Sequence, residues 1–565
     1  MVRNYKSPLT LRAIIIGIFL GALLNFLSIY LSYKIGISAL GGTFILGYLL
    51  LRLTGKYNYK ENAIVIIITG AMMFPAFGIS GNMAALVVFQ DYLTYPVELT
   101  LPLLIALSAI GSFLGLILLY PMKRQFLELK WPMILPTAQI VKVLEEKGEY
   151  LKKTLYGLIA SVVTTITTIT AKVRTLSTKN MPSFIGFEIS PLMVGVGYFI
   201  TFNGSLLIFI GSLYSIGIWY LLEGAIPNIL LSTHIMHPAI FSIAIPMLVT
   251  TAIFSVIENR RTLYLAIKEF RTNKNANDTI PAWLAFSTLI FLPILAYIVL
   301  SLIPTIPPHV VVDTVMIIII ALPVVFISAI FLARARGETG FSMSFTVDIV
   351  LILAAIFLLP DLEDMLIAFS ILGCYEFSSI IFLSYMKFGQ LVDVHERDIL
   401  KAILIGLPPG IIVSALTIWA FQYLLGGLGT ETFPTPNAYA IGGYILGMLE
   451  AIRTKKVPLI YDPYLVIFSI IFTIFLILIF KKANLKGITP IPLAIGMLIP
   501  PSYAFPILIG GILELWIKTK YKENPKLFQE KNQDMTVILS GVIGGEGIVL
   551  LIITLFSIIL SLIPL

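Results

Sequence analysis

Charge is scarce in this sequence. Asp, Glu, Lys and Arg together make up 12% of its 565 residues, against 58% hydrophobic residues. A soluble domain carries roughly a quarter charged residues, and a surface drawn from this composition would expose apolar patches that only lipid can cover. Cysteine is scarcer still. Cys374 stands alone, which excludes a disulfide framework and a cysteine-based metal centre, and its apolar setting reads as a buried structural thiol. The four histidines are scattered: His234 and His237 share a Pro-containing loop, and neither His309 nor His395 has a second ligand nearby, so no metal site is expected. P-loop, GxSxG and HExxH motifs are all missing. Neither ATP hydrolysis by the chain itself nor an intramembrane enzyme is therefore expected, and no cofactor is called for. Long polar stretches are missing too, which leaves no room for a soluble domain of ordinary size.

What the chain has is hydrophobic length, with a mean hydropathy of +0.98. A hydrocarbon core of about 30 Å takes about 20 apolar residues per helical crossing. Runs of that kind recur from 10–33 through to 535–563. They predict an all-α polytopic membrane protein with about 14 to 16 transmembrane or half-membrane helices. The net charge of +8 lies in short blocks between apolar runs, not on one amphipathic face, a pattern that sets topology and speaks against nucleic acid. Lys123 and Arg124, Arg260 and Arg261, and Lys518 and Lys520 mark cytoplasmic loops. Counting crossings puts the N-terminus on that side, and Asp91, Glu98, Asp361, Glu363 and Asp364 outside. The run 14–31 behind Arg3, Lys6 and Arg12 is too long for a signal peptide and reads as a retained first helix. One conflict remains. If 459–480 crosses once, the block of Arg453, Lys455 and Lys456 and that of Lys481, Lys482 and Lys486 cannot both be cytoplasmic.

An internal match divides the chain. ISPLMVGVGYFITFNGSLLIFIGSL from Ile189 and ITPIPLAIGMLIPPSYAFPILIGGI from Ile488 align without a gap at a shift of 299 residues. Gly197 pairs with Gly496, Ile208 with Ile507 and Gly211 with Gly510. Residues 1–275 and 276–565 are therefore expected to form two related halves, with substrate held where broken segments meet. Runs 62–89, 187–222 and 487–517 carry Gly, Pro, Asn or Ser in mid-run, the mark of half-helices or re-entrant hairpins.

An ionisable group deep in an apolar run costs roughly 2.5 to 3.5 kcal/mol on insertion scales, so such a group is a functional candidate. Glu546, framed by Gly544, Gly545 and Gly547, could exchange a proton and couple its flow to a substrate; a bond to a neighbouring helix would also explain it. Glu376, beside Tyr375 and Ser378, is the second candidate for proton coupling and needs a partner from another helix. For substrate, the interrupted stretches nominate Asn82, Asn203 and Ser502 with Tyr503, and the glycine-containing segment 333–349 nominates Glu338, Thr339 and Ser342, as an unwound cavity lining or equally as a cytoplasmic turn.

Several stretches resemble the oligopeptide transporter (OPT) family, which includes the yellow stripe-like carriers of metal chelates. SPLTLRAIIIGIFLGALLNFLSIYLSYKIG at 7–36, MKRQFLELKWPMILPTAQIVKVLEE at 122–146, and ISPLMVGVGYFI follow the family's order, and AIGMLIPPSYAFPILIGGIL with ILSGVIGGEGIVLL resembles its closing motifs. The resemblance implies a carrier in the cell membrane that imports peptides or peptide-like metal chelates together with protons, with Glu546 matching the family's Gly-Glu pair. It also nominates Tyr385 and Lys387, where the family often reads D-L-K-T-G and this chain keeps the lysine and glycine without the acid. A channel or passive pore, and a receptor derived from a carrier, remain as alternatives from other classes. The expected partners are a small peptide or chelate, protons and the lipid bilayer; the oligomeric state stays open, a homodimer among the options.

Overall fold

The computed structural model describes residues 7–35, 43–145, 149–171, 173–176, 180–182, 184–229, 231–235, 237–258, 282–340, 350, 353–354, 357–430, 433, 435–453, 462–482 and 488–562. Those residues are almost wholly helical. A two-residue antiparallel pairing of β1 (Thr175–Leu176) with β2 (Phe187–Glu188) is the one sheet among them. Among the described residues ten helices are long and apolar enough to cross a bilayer, and four shorter apolar helices of 10–17 residues accompany them. The helix Pro463–Lys482 has only 17% of its apolar window covered by protein, and Ile467, Phe468, Ile471, Phe475 and Leu478 stand exposed along it. A face of that kind is solvated by hydrocarbon.

The chain forms two compact units, each drawn from discontinuous segments. The first comprises Met1–Glu128, Glu258–Ala333 and Ser344–Pro458, the second Leu129–Ile257, Arg334–Met343 and Leu459–Leu565.

In the first unit the helix Leu362–Leu391 is enclosed, with 89% of its window buried. Small residues make the enclosure possible. A Cβ on Gly78 would strike the Cys374 backbone, one on Gly111 would strike Ile371 and Cys374, and one on Gly115 would strike Tyr375. Without a strong hydrophobic drive between helices in lipid, this close approach and its dispersion contacts hold the helices together. Of Pro75, Gly78, Gly81 and Asn82, which interrupt the run 62–89 in sequence, it is Pro75 that marks the break. One helix ends at Ala71 and the next begins at Phe74 with Pro75 in its first turn, because proline fits the first helical positions, where no amide partner is lost. Asn82 sits inside the second helix, its amide donating to Gly78 O at 3.2 Å. Glu363 and Asp364 form the buried first turn of Leu362–Leu391, where Asp361 and Asp364 make a capping box. Arg453 donates to Asp361 at 2.7 Å and to Pro360 O at 3.0 Å. It therefore shares an end of the unit with the acidic group.

The second unit is organised by two hairpins. In the first, Pro191–Ile200 is followed by Phe202–Leu221. Thr201, at φ 78°, turns the chain, a conformation costly for a β-branched residue. Ser205 Oγ reaches back to Gly197 O at 3.0 Å. Eight residues of continuous helix would separate those groups by about 12 Å, so the chain folds back on itself. Ile491–Leu498 and Pro501–Lys520 form the second hairpin, broken at Ile499 and Pro500. Its two helices both pack on Phe202–Leu221. Gly496 meets Ile208, whereas Gly511 meets Ser205 and Phe202.

Residues matched by the 299-residue shift meet each other reciprocally. A Cβ on Gly197 would strike Ile507, and one on Gly496 would strike Ile208, the match of Ile507. Gly211 abuts Leu493, while Gly510 abuts Val194, the match of Leu493. Contacts of Ser205 with Gly511 and of Phe209 with Phe505 (5.2 Å between ring centroids) run the two long hairpin helices antiparallel. At 20 residues each they span about 30 Å, so their C-terminal ends lie at opposite ends of the pair.

Candidate functional site

Where the first hairpin opens, an ion cluster closes around Glu546. This carboxylate, 2% exposed, accepts from Arg174 Nη2 at 2.6 Å, from Ser190 Oγ at 3.0 and 3.1 Å, and from the Leu192 amide at 2.9 Å. The amide and hydroxyl belong to the first turn and N-cap of Pro191–Ile200, so the positive end of that helix faces the carboxylate. Arg174 is shared. Its Nε donates to Glu188 Oε1 at 3.0 Å. Burial pushes the Glu188 carboxyl up from its ordinary value against the pull of Arg174, and burial likewise opposes the charge on Arg174, which Glu546 and Glu188 more than restore. Tyr503, at the start of Pro501–Lys520, lies within electrostatic reach of all three charges. Removing one member of such a buried network costs about 3 to 5 kcal/mol.

The second hairpin opens on a smaller version of this arrangement. Thr489, matched to Ser190 by the same shift, donates to Glu338 Oε2 at 2.8 Å, and Arg334 Nε donates to Glu338 Oε1 at 2.7 Å. Glu338 and Thr339 end the continuous helix Pro308–Thr339 instead of lying on unwound backbone. Gly337 is accommodated there because Leu129 and the Trp131 amide pack onto it. Ser342 lies outside the described residues.

The remaining candidates distribute between the two units. In the second, Ser502 is buried and its amide donates to Phe184 O at 2.8 Å, while Asn203 is exposed just past the turn at Thr201. In the first, Glu376 is buried at 2% exposure directly after the glycine-packed Cys374–Tyr375 pair. Tyr385 stacks on Phe74 at 6.1 Å with its hydroxyl against Gly70. Lys387 donates to the carbonyl of Leu127 and has no carboxylate partner among the described residues. Asn82 spends its amide within its own helix. Sequence reasoning passed over three residues of the second unit. Arg174 and Glu188 bracket the stretch before the first hairpin, and Glu223 pairs with His234 at 2.5 Å, whose Nε2 lies 2.8 Å from Ser215 Oγ.

The sequence matches the family described as OPT oligopeptide transporter protein over residues 8–557, nearly the full chain. The chain belongs to the oligopeptide transporter family. No curated protein matches it. As a member of the OPT family with ten candidate spans, it is a multi-pass membrane transporter, and the family's substrates are oligopeptides.

Proposed function

We propose that the protein is a secondary active transporter that imports short peptides or peptide-like metal chelates across the cell membrane together with protons, its N-terminus cytoplasmic. The two related halves, 1–275 and 276–565, supply one broken hairpin each to the second unit. The observation that carries this reading is the ion cluster of Arg174, Glu188 and Glu546 at the opening of the first hairpin. Ionisable groups buried in membrane proteins mark substrate and ion pathways, and broken helices bring helix ends to such sites. Glu376, also 2% exposed, is the second coupling group.

Substrate recognition is assigned to Tyr385 and Lys387 with Asn82 in the first unit, and to Asn203, Glu338, Thr339, Ser342, Ser502 and Tyr503 in the second. Lys387 supports a substrate that carries a carboxylate. Among the described residues its half-buried ammonium is balanced by a neutral carbonyl only, and a charge-assisted bond to a carboxylate is roughly twice as strong as a neutral one. Proteoliposomes test the reading. An inward proton gradient accelerates accumulation of a labelled tripeptide above its external concentration. Lys387→Gln raises KM for the free tripeptide at least tenfold and that for its C-terminal amide little. Equilibration without accumulation would indicate a pore, and absence of uptake a receptor.

A further inference from the structure

We propose that Glu188, and not Glu546, is the group that binds the coupling proton, with Arg174 as the positioning residue shared between the two carboxylates. The inference deepens the proposed function and rests on it for the word coupling, but the proton site itself follows from counting charges and donors.

Among the described residues, the opening of the first hairpin holds two carboxylates and one guanidinium, an excess of one negative charge. The groups that face Glu188 are Arg174 from the strand segment before it, Glu546 from the helix Pro525–Leu562, and Tyr503 from the second hairpin. No second cation faces it among the described residues. The matched opening of the second hairpin provides an internal comparison. There Arg334 pairs one to one with Glu338, which also accepts from Thr489. A buried unit of negative charge in a low-dielectric setting is neutralised by a proton or a cation, since leaving it bare is costly. The described residues offer no group of three or more acidic, histidine or cysteine ligands for a metal ion, and we take the neutralising ion to be a proton.

Donor count decides which carboxylate takes it. Glu546 is held by Arg174, the Ser190 hydroxyl and the Leu192 amide. All of these stabilise the ionised form, and neutralising Glu546 would weaken each one. Glu188 accepts one bond, from Arg174, so its protonation sacrifices least. Once Glu188 is neutral, Arg174 is committed to Glu546, and the first opening acquires the same one-to-one balance as the second. Proton binding therefore equalises the charge at the openings of the two hairpins.

The test uses the full-length protein in detergent and in proteoliposomes. Infrared difference spectra between pH 8 and pH 5 follow the carbonyl stretch of protonated carboxyl groups. Wild type is expected to gain a band that Glu188→Gln lacks and that Glu188→Asp retains with a moved midpoint. In proteoliposomes, Glu188→Gln, which imitates the protonated acid, reduces the stimulation by a proton gradient to about onefold while substrate exchange across the membrane persists. An unchanged band in Glu188→Gln overturns the proposal, as does full gradient stimulation. Loss of the band in a protein that transports no peptide would uphold the proton site and refute the transport reading. Should Glu188→Gln fail to fold, the midpoint in Glu188→Asp decides, and an unmoved midpoint overturns the assignment.

Discussion

The glycine contacts between the hairpins permit a quantitative prediction. An ideal Cβ on Gly197 would lie 2.7 Å from Ile507 C and 2.9 Å from its Cα, and one on Gly496 would lie 2.8 and 2.9 Å from the same atoms of Ile208. Carbon atoms in favourable contact sit about 3.5 to 4.0 Å apart, so alanine at either position must push the facing backbone away by about 1 Å. The obstacle is main chain, which cannot swing aside as a side chain can. Overpacking of this type costs about 1 to 3 kcal/mol. At roughly 2 to 4 °C per kcal/mol for a unit of this size, Gly197→Ala should lower the midpoint of thermal unfolding in detergent by about 2 to 12 °C. Gly496→Ala should match it, because Gly496 makes the equivalent contact, with Ile208, from the other hairpin. Gly217→Ala serves as the control, since a Cβ there meets nothing within 4 Å. Relieved of glycine's conformational entropy, it should be neutral or stabilising by up to about 1 kcal/mol. Equal midpoints for all three variants would refute the reciprocal packing.

Two further outcomes follow from buried groups. Burial lowers the pKa of His234 below its ordinary value of 6.5, with Glu223 opposing and His237 reinforcing the shift. The unfolded chain therefore binds a proton at a pH where the folded one does not, and stability is expected to fall as pH drops through about 6.5; His234→Gln should flatten that part of a melting-point-against-pH curve, and an identical curve would count against the buried neutral imidazole. Cys374 is fully buried against Gly78 and Gly111. It should resist a maleimide in the folded protein and react stoichiometrically after denaturation, whereas rapid labelling of the native protein would contradict the packing of Leu362–Leu391.

The membrane class, and the positions where the two hairpins break, were legible because they depend on local properties. Apolar length specifies a span, and Gly197, Gly211, Gly496 and Gly510 recur at one shift because each admits a facing backbone that no larger residue would. Charge placement was less legible. Arg174 and Glu188 look like loop residues, and only the fold of the strand pair onto Glu546 buries them. A basic and an acidic residue bracketing a short stretch between a membrane run and a half-helix were the available signal. Glu338 misled in the other direction. Its neighbouring glycines suggest unwinding, yet Leu129 covers Gly337 and the helix continues. Nor does sequence reveal that a capping box and the Tyr95 amide await Asp364 and Glu363.

The interlocked glycines also bear on how the protein is made. The first hairpin ends at Leu221, and the helix that fills its grooves does not begin until Ile491. At about 5 to 20 residues per second, the ribosome needs roughly 15 to 55 s to deliver the missing piece. Throughout that interval the seams at Gly197 and Gly211 lie open to lipid or to whatever insertion factor attends them. Biogenesis of the second unit is therefore completed only near the end of translation, and a chain cut short before the second hairpin leaves the first without its mate.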